Sequence, residues 1–111
     1  MIKRIIAALE EVCSSVSCYV PQDGESVSFC LLFHQKTFIL TQIKEGENVI
    51  LEIDTGRRVK RAMPLARRIQ FEAVPCSTTW YLRFTVTPKM DDQELTQNIT
   101  ALLKEAYHLS R

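Results

Sequence analysis

The sequence predicts an α+β fold. It is a two-layer sandwich in which N- and C-terminal helices pack on one face of a five- to six-stranded, mainly antiparallel sheet. Three observations predict it. Both ends of the chain carry apolar residues at helical spacing, and the middle carries them at alternate positions. The connections between the alternating runs are also too short for parallel crossovers, which need roughly a dozen residues or more. The 111 residues form a single domain, 1–111, because two halves would each fall near the lower limit for a self-sufficient core. With 46% apolar residues, 3 Gly and 4 Pro, the composition excludes a disordered or collagen-like chain.

At the start, Ile2, Ile5, Ile6, Leu9, Val12, Cys13 and Val16 follow the i, i+3, i+4, i+7 stripe of an amphipathic helix, with Lys3, Arg4, Glu10 and Glu11 opposite. Ser14 and Ser15 weaken the helical preference, and Val16, Cys18 and Val20 then alternate as a short strand. Pro21-Gln22-Asp23-Gly24 predicts a turn. Ser26 to Phe33 is rich in β-formers and apolar enough for both faces to be covered in part. His34-Gln35 reads as a short reversal, although it lacks the Gly or Asn that two-residue hairpins prefer.

Lys36 to Ile43 alternates, with Thr37, Ile39, Thr41 and Ile43 on one face and Phe38, Leu40 and Gln42 on the other. After a turn at 44–48, Val49, Leu51 and Ile53 line one side of a strand that Asp54-Thr55-Gly56 closes. Pro64 prevents a continuous helix through residues 57–68. Ile69 to Val74 is the next strand, ended by Pro75-Cys76-Ser77. Thr78 to Thr87 then places Trp80, Leu82, Phe84 and Val86 on one face and Tyr81, Arg83 and Thr85 on the other. The closing helix begins near Asp91 or Asp92. An Asp cap, Glu94 three residues on and Met90 as a staple precede the stripe Leu95, Ile99, Leu102, Leu103 and Ala106.

The aromatic strand TTWYLRFTV, the acidic helix start MDDQEL and the ending LLKEAYHLS resemble small bacterial domains of the YjbR and YdhG-like groups, whose fold is similar to that of CyaY and frataxin. The resemblance covers most of the chain in topology and about a third of it in sequence. It implies the same helix–sheet–helix layout and carries no catalytic motif to transfer. YjbR-like members often bear a DNA-binding label, but the groups share no established activity. The frataxin comparison implies an acidic iron-binding ridge on the first helix. Only Glu10 and Glu11 stand there, beside Lys3 and Arg4, which argues against iron chemistry.

Charge supplies the leading candidate site. The chain nets +1, so it offers no global attraction to nucleic acid or anionic membrane. Yet Arg57, Arg58, Lys60, Arg61, Arg67 and Arg68 fall between Thr55 and Arg68 with no acid among them, which makes that stretch +6 and the rest −5. An anionic partner meets a local patch there, and arginine's planar fork suits phosphate and carboxylate. Arg83, on the outward side of its strand, extends the set. The expected function is a non-enzymatic binding or accessory module that contacts phosphate, nucleic acid or an acidic protein. The competing account is a charged connection that serves solubility or pairs internally. No aromatic residue lies within 55–68, so a stacking ring has to come from elsewhere, such as Tyr81. The alternative partner is a second copy of the chain. It would use the sheet face away from the helices, where this reading places Phe38, Leu40, Ile50 and Tyr81.

Other chemistry is poorly represented. Cys13, Cys18, Cys30 and His34 form C-x4-C-x11-C-x3-H, which lacks the C-x2-C knuckle that brings two sulfurs together on zinc. Cys13, Cys18, Cys30 and Cys76 are therefore expected as reduced thiols. Cys30 and His34 could act as nucleophile and base, but their spacing on a strand and turn does not ensure convergence. His108 suits the negative end of the closing helix, and Asp91, Asp92 and Glu94 suit its start. No phosphate-binding loop, dinucleotide fingerprint, nucleophile elbow or zinc-protease motif is present, so no cofactor is expected. No apolar run approaches a membrane span, and MIKRIIAALEEVC does not read as a signal peptide, which predicts a cytoplasmic location.

Overall fold

A computed structural model of the chain describes residues 1–19, 26–63 and 71–111. Helix α1 (Ile2–Val12) leads into strands β1 (Ser15–Tyr19), β2 (Ser26–Phe33), β3 (Lys36–Glu45) and β4 (Asn48–Arg58). Strands β5 (Glu72–Cys76) and β6 (Thr79–Val86) precede helix α2 (Asp92–Leu109). The strands form one sheet in the order β1-β2-β3-β4-β6-β5, and every neighbouring pair is antiparallel.

Register shows which face is covered. Cys18, Phe29, Leu40, Ile53, Leu82 and Ala73 lie side by side in one row across all six strands. Side chains paired in this way share a face. Phe29, Leu40, Ile53 and Leu82 of that row join Ile5, Ala8 and Leu9 of α1 and Leu95, Ile99, Leu102, Leu103 and Ala106 of α2 in a single buried cluster. The helices therefore lie together on one side of the sheet, as the layout of apolar stripes requires. Each stripe is removed from water only against this layer, at about 25 cal/mol per Å² of apolar surface buried.

The start of α2 is fixed by its cap. Asp91 Oδ1 accepts the Glu94 backbone N–H at 2.8 Å, which satisfies one of the first-turn donors that have no partner within the helix. Across the helix pair, Arg4 Nε donates to Asp92 Oδ1 at 2.6 Å, and its Nη2 donates to the Met90 carbonyl. The Asp92 side chain is 82% exposed, so solvent screening keeps that ion pair near the surface value of at most about 1 kcal/mol.

Three details differ from the sequence reading. First, Phe38 and Leu40 are buried beneath the helices at 3% and 1% exposure, and Ile39, at 41%, faces out. The alternation divided these residues correctly. Both halves contain bulky apolar groups, however, and only the pairing of Leu40 with Ile53 decides which half points inward. The outer face is correspondingly more polar, and its central row runs Ser28, Thr41, Glu52, Arg83, Glu72.

Second, β4 continues past Asp54-Thr55-Gly56 to Arg58, with a bulge between Asp54 and Arg58. Gly56 takes a φ of +73°, which glycine adopts without a Cβ penalty, and its N–H donates to Asp54 Oδ1 at 2.8 Å. Thr55 is buried there, its Oγ1 donating to the Trp80 carbonyl at 2.7 Å and accepting the Arg57 N–H at 3.1 Å. A sequence that resembles a turn thus forms an irregularity inside a strand. Third, Pro75 belongs to β5, the edge strand, where a missing N–H costs no ladder bond on the open side. The reversal falls instead at Ser77-Thr78, with Ser77 at a φ of +57°.

The two-residue reversal at His34-Gln35 is as expected, and both residues adopt positive φ, 49° and 65°. The predicted turn at 21–24, Val20, Ile69 and the segment around Pro64 lie outside the described residues.

The face assignment is testable by urea unfolding. Leu40→Ala should cost about 2–5 kcal/mol through lost burial and a cavity. Ile39→Thr, one position away, should stay within about 0.5 kcal/mol, as exposed substitutions do.

Candidate anion-binding surface

Three chain segments meet at one end of the sandwich: the end of α2, the β2–β3 turn and residues 57–62. The last carbonyls of a helix lack intrahelical donors, and the helix dipole places about −0.5 elementary charge there. Cationic side chains take up these carbonyls. Arg57 Nη1 donates to Leu109 O at 3.5 Å, Lys36 Nζ to Ser110 O at 3.5 Å, and Arg61 Nη1 to Arg111 O at 3.2 Å.

Arg57 also closes its own loop, with Nε and Nη2 donating to the Ala62 carbonyl at 3.2 and 2.8 Å. The 58–61 turn is held by the Arg61 N–H on Arg58 O at 3.0 Å, by the Val59 N–H on Thr78 O at 3.0 Å, and by Trp80 Nε1, which donates to Arg61 O at 3.0 Å. Arg58, Lys60 and Arg61 are exposed and, with Val59, Ser77 and Thr78, line a depression of about 470 Å³.

Aromatic rings border the cations. The Arg111 guanidinium lies 5.8 Å from the centre of the Tyr107 ring. Tyr107 is 5.6 Å from the ring of His34, which meets Phe33 edge to face at 4.2 Å. Among the described residues, none of Lys36, Arg57, Arg58, Lys60, Arg61 and Arg111 forms a salt bridge with an aspartate or glutamate side chain.

The residues expected from sequence therefore separate. Arg58, Lys60 and Arg61 share this exposed surface, whereas Arg57 is half-buried and its donors are engaged by main-chain carbonyls. Arg67 and Arg68 lie outside the described residues. Arg83 does not belong with them. It projects from the opposite face of the sheet, with Nη2 at 3.1 Å from Glu52 Oε2, and its alternation had marked it as outward without revealing the acid across the strand pair. Tyr81 is also unsuited to stacking against an anion. Burial first, then Asp54, Cys76 in its thiolate form and Glu52, push its hydroxyl pKa up, and Asp54 lies directly across the strand pair from it.

Lys36, Arg111, Tyr107 and His34 are the members that sequence reasoning missed. They lie far from residues 57–61 in the chain, and no local pattern links them to that run.

The cysteines do not converge. Cys13 caps α1, Cys18 and Cys30 occupy opposite faces of the β1–β2 pair, and Cys76 is on the far edge of the sheet. All four are free thiols, and among the described residues no three His, Cys, Asp or Glu side chains are placed to hold a metal ion. A wider depression of about 770 Å³ lies between the start of α1 and the β3–β4 turn. Its polar lining is Gln42, Lys44, Glu47 and Asn48, with no thiol or imidazole. Among the described residues, no helix is long and apolar enough to cross a membrane.

Burial pushes the Cys13 thiol pKa up to about 11, while Cys18 and Cys76 are exposed. Timed iodoacetamide labelling at a pH near 8, read by mass spectrometry, should modify Cys18 and Cys76 first. Cys13 should lag by at least about tenfold, because a raised pKa leaves less of the reactive thiolate. Comparison with protein-family models, with curated proteins and with solved structures returns no match to this chain, so the reading of the surface rests on its own geometry.

Proposed function

We propose that this chain is a non-enzymatic binding module that captures an anionic partner at the end of α2. Charge-assisted hydrogen bonds from Arg58, Lys60 and Arg61 carry the contact, and no bond is made or broken. One observation carries this reading. Six cations (Lys36, Arg57, Arg58, Lys60, Arg61 and Arg111) gather around a helix end worth about half a negative charge. Three of them, Lys36, Arg57 and Arg61, donate to oxygens at that end. The remainder stand in excess of any local structural need, and the rest of the chain nets −5 against their +6. Such separation of charge concentrates attraction for a polyanion on one side of an almost neutral molecule. Guanidinium groups meet phosphate or carboxylate through paired hydrogen bonds of well-defined direction.

A second reading, association between two copies through the outer face of the sheet, draws on exposed Ile39 and on the pairing of half-buried Ile43 with Ile50. That apolar area is smaller than the sequence suggested, because Phe38 and Leu40 are buried on the other side.

The test is a polyanion titration at low salt, using duplex DNA and inorganic polyphosphate. Arg58→Ala, Lys60→Ala and Arg61→Ala combined should lower affinity at least about tenfold, with Arg57 left in place because its bonds serve the fold. Each lost phosphate contact should also flatten the dependence of log affinity on log salt by about 0.9 for duplex DNA. Unchanged binding by the triple variant would remove this surface from consideration.

A further inference from the structure

The cations alone would suit any polyanion, but the rings among them narrow the choice. Neither Tyr107 nor His34 is fully buried, although Tyr107 packs against the core. His34 is exposed at the tip of the β2–β3 turn, and Tyr107 is half-buried on the last turns of α2. The His34 ring meets the Phe33 ring edge to face at 4.2 Å, and the His34 backbone φ is 49°. Tyr107 is 6.4 Å from Phe33 and 5.6 Å from His34, so the three rings form one cluster with an outer side open to solvent. Arg111 lies over Tyr107 at 5.8 Å and accepts, through its main-chain oxygen, a bond from Arg61. A continuous path thus runs from His34 and Tyr107 through Arg111 to Arg61, Lys60 and Arg58.

We propose that this path binds single-stranded nucleic acid, with bases stacked on Tyr107 and His34 and phosphates met by Arg58, Lys60, Arg61 and Arg111. The inference rests on the anion-capture reading above and adds the class of partner. Stacking requires bases freed from pairing, which a duplex does not present, and every base has a face that an aromatic ring can meet. A carboxylate-rich protein would satisfy the cations but make no use of an exposed ring face. On the opposite face of the sheet, Tyr81 lies directly across from Asp54, a carboxylate that disfavours a phosphate beside the ring.

Fluorescence anisotropy with a labelled oligothymidylate of about 12 nucleotides, within the site sizes common for single-strand binders, tests the proposal. The wild-type chain should bind it more tightly than a duplex of equal length. Tyr107→Phe should preserve affinity, and Tyr107→Leu should lower it by about 5- to 150-fold with an unchanged salt slope. His34→Asn keeps a residue that tolerates positive φ and should also lower affinity. It serves as the deciding variant if near-UV circular dichroism shows Tyr107→Leu to be misfolded. Ring-deleted variants that bind like wild type, or equal affinity for duplex and inorganic polyphosphate, would overturn the stacking proposal and leave anion capture intact. Tighter binding of polyglutamate than of the oligonucleotide would also overturn it. Absence of binding to every polyanion would remove both readings.

Discussion

The unpaired carbonyls at the end of α2 are the constraint around which the functional surface is organised. An 18-residue helix is about 27 Å long, close to the 28 Å shortest dimension of the molecule. Fixed at its start by the Asp91 cap and along its length by the apolar stripe, α2 can end in only one place. That place is above the β2–β3 turn and the last residues of β4. Its terminal oxygens then draw Lys36 and Arg57 from two other segments, because a buried or half-buried carbonyl without a donor is costly, and Arg61 bonds the exposed Arg111 just beyond. A requirement of the fold thereby concentrates charge, and the cations beyond that requirement remain available to a partner.

The layered packing matters to this surface because it sets the position of every contributor. Burial of Leu95, Ile99, Leu102, Leu103 and Ala106 against Leu40, Leu51, Ile53 and Leu82 fixes the path of α2 over the sheet. The bulge at Gly56 redirects the end of β4, and Thr55, bonded to Trp80 and Arg57, ties that end to β6. Arg57 is consequently half-buried, whereas Arg58, Lys60 and Arg61 are exposed. The division of labour among adjacent basic residues follows from backbone geometry rather than from residue type.

Much of the fold was legible because apolar periodicity reports it directly. The stripe Leu95, Ile99, Leu102 and Leu103 and the alternation Trp80, Leu82, Phe84, Val86 each have one physical solution. Residues 36–43 did not, since Phe38 and Leu40 compete with Ile39 and Ile43 for the same side, and the decision belongs to the partner strand. Asp54-Thr55-Gly56 and Pro75 were ambiguous for a related reason. Turns, bulges and edge strands favour the same residues, and only pairing distinguishes them. The candidate site was half legible. A run of like charge identified Arg58, Lys60 and Arg61, but Arg83 shared only their charge. The contributions of Lys36, Arg111, His34 and Tyr107 depend on where a helix ends in space, which no local pattern encodes.

The account depends on one location for the anion. The most direct measurement is a two-dimensional amide NMR titration of the full chain with inorganic polyphosphate at low salt. The account predicts that the largest shifts cluster on residues 58–61, on 34–36 and on 107–111, with the outer sheet residues Thr41, Glu52 and Arg83 unmoved. Shifts centred on that outer row, or spread evenly over the surface lysines and arginines, would contradict it.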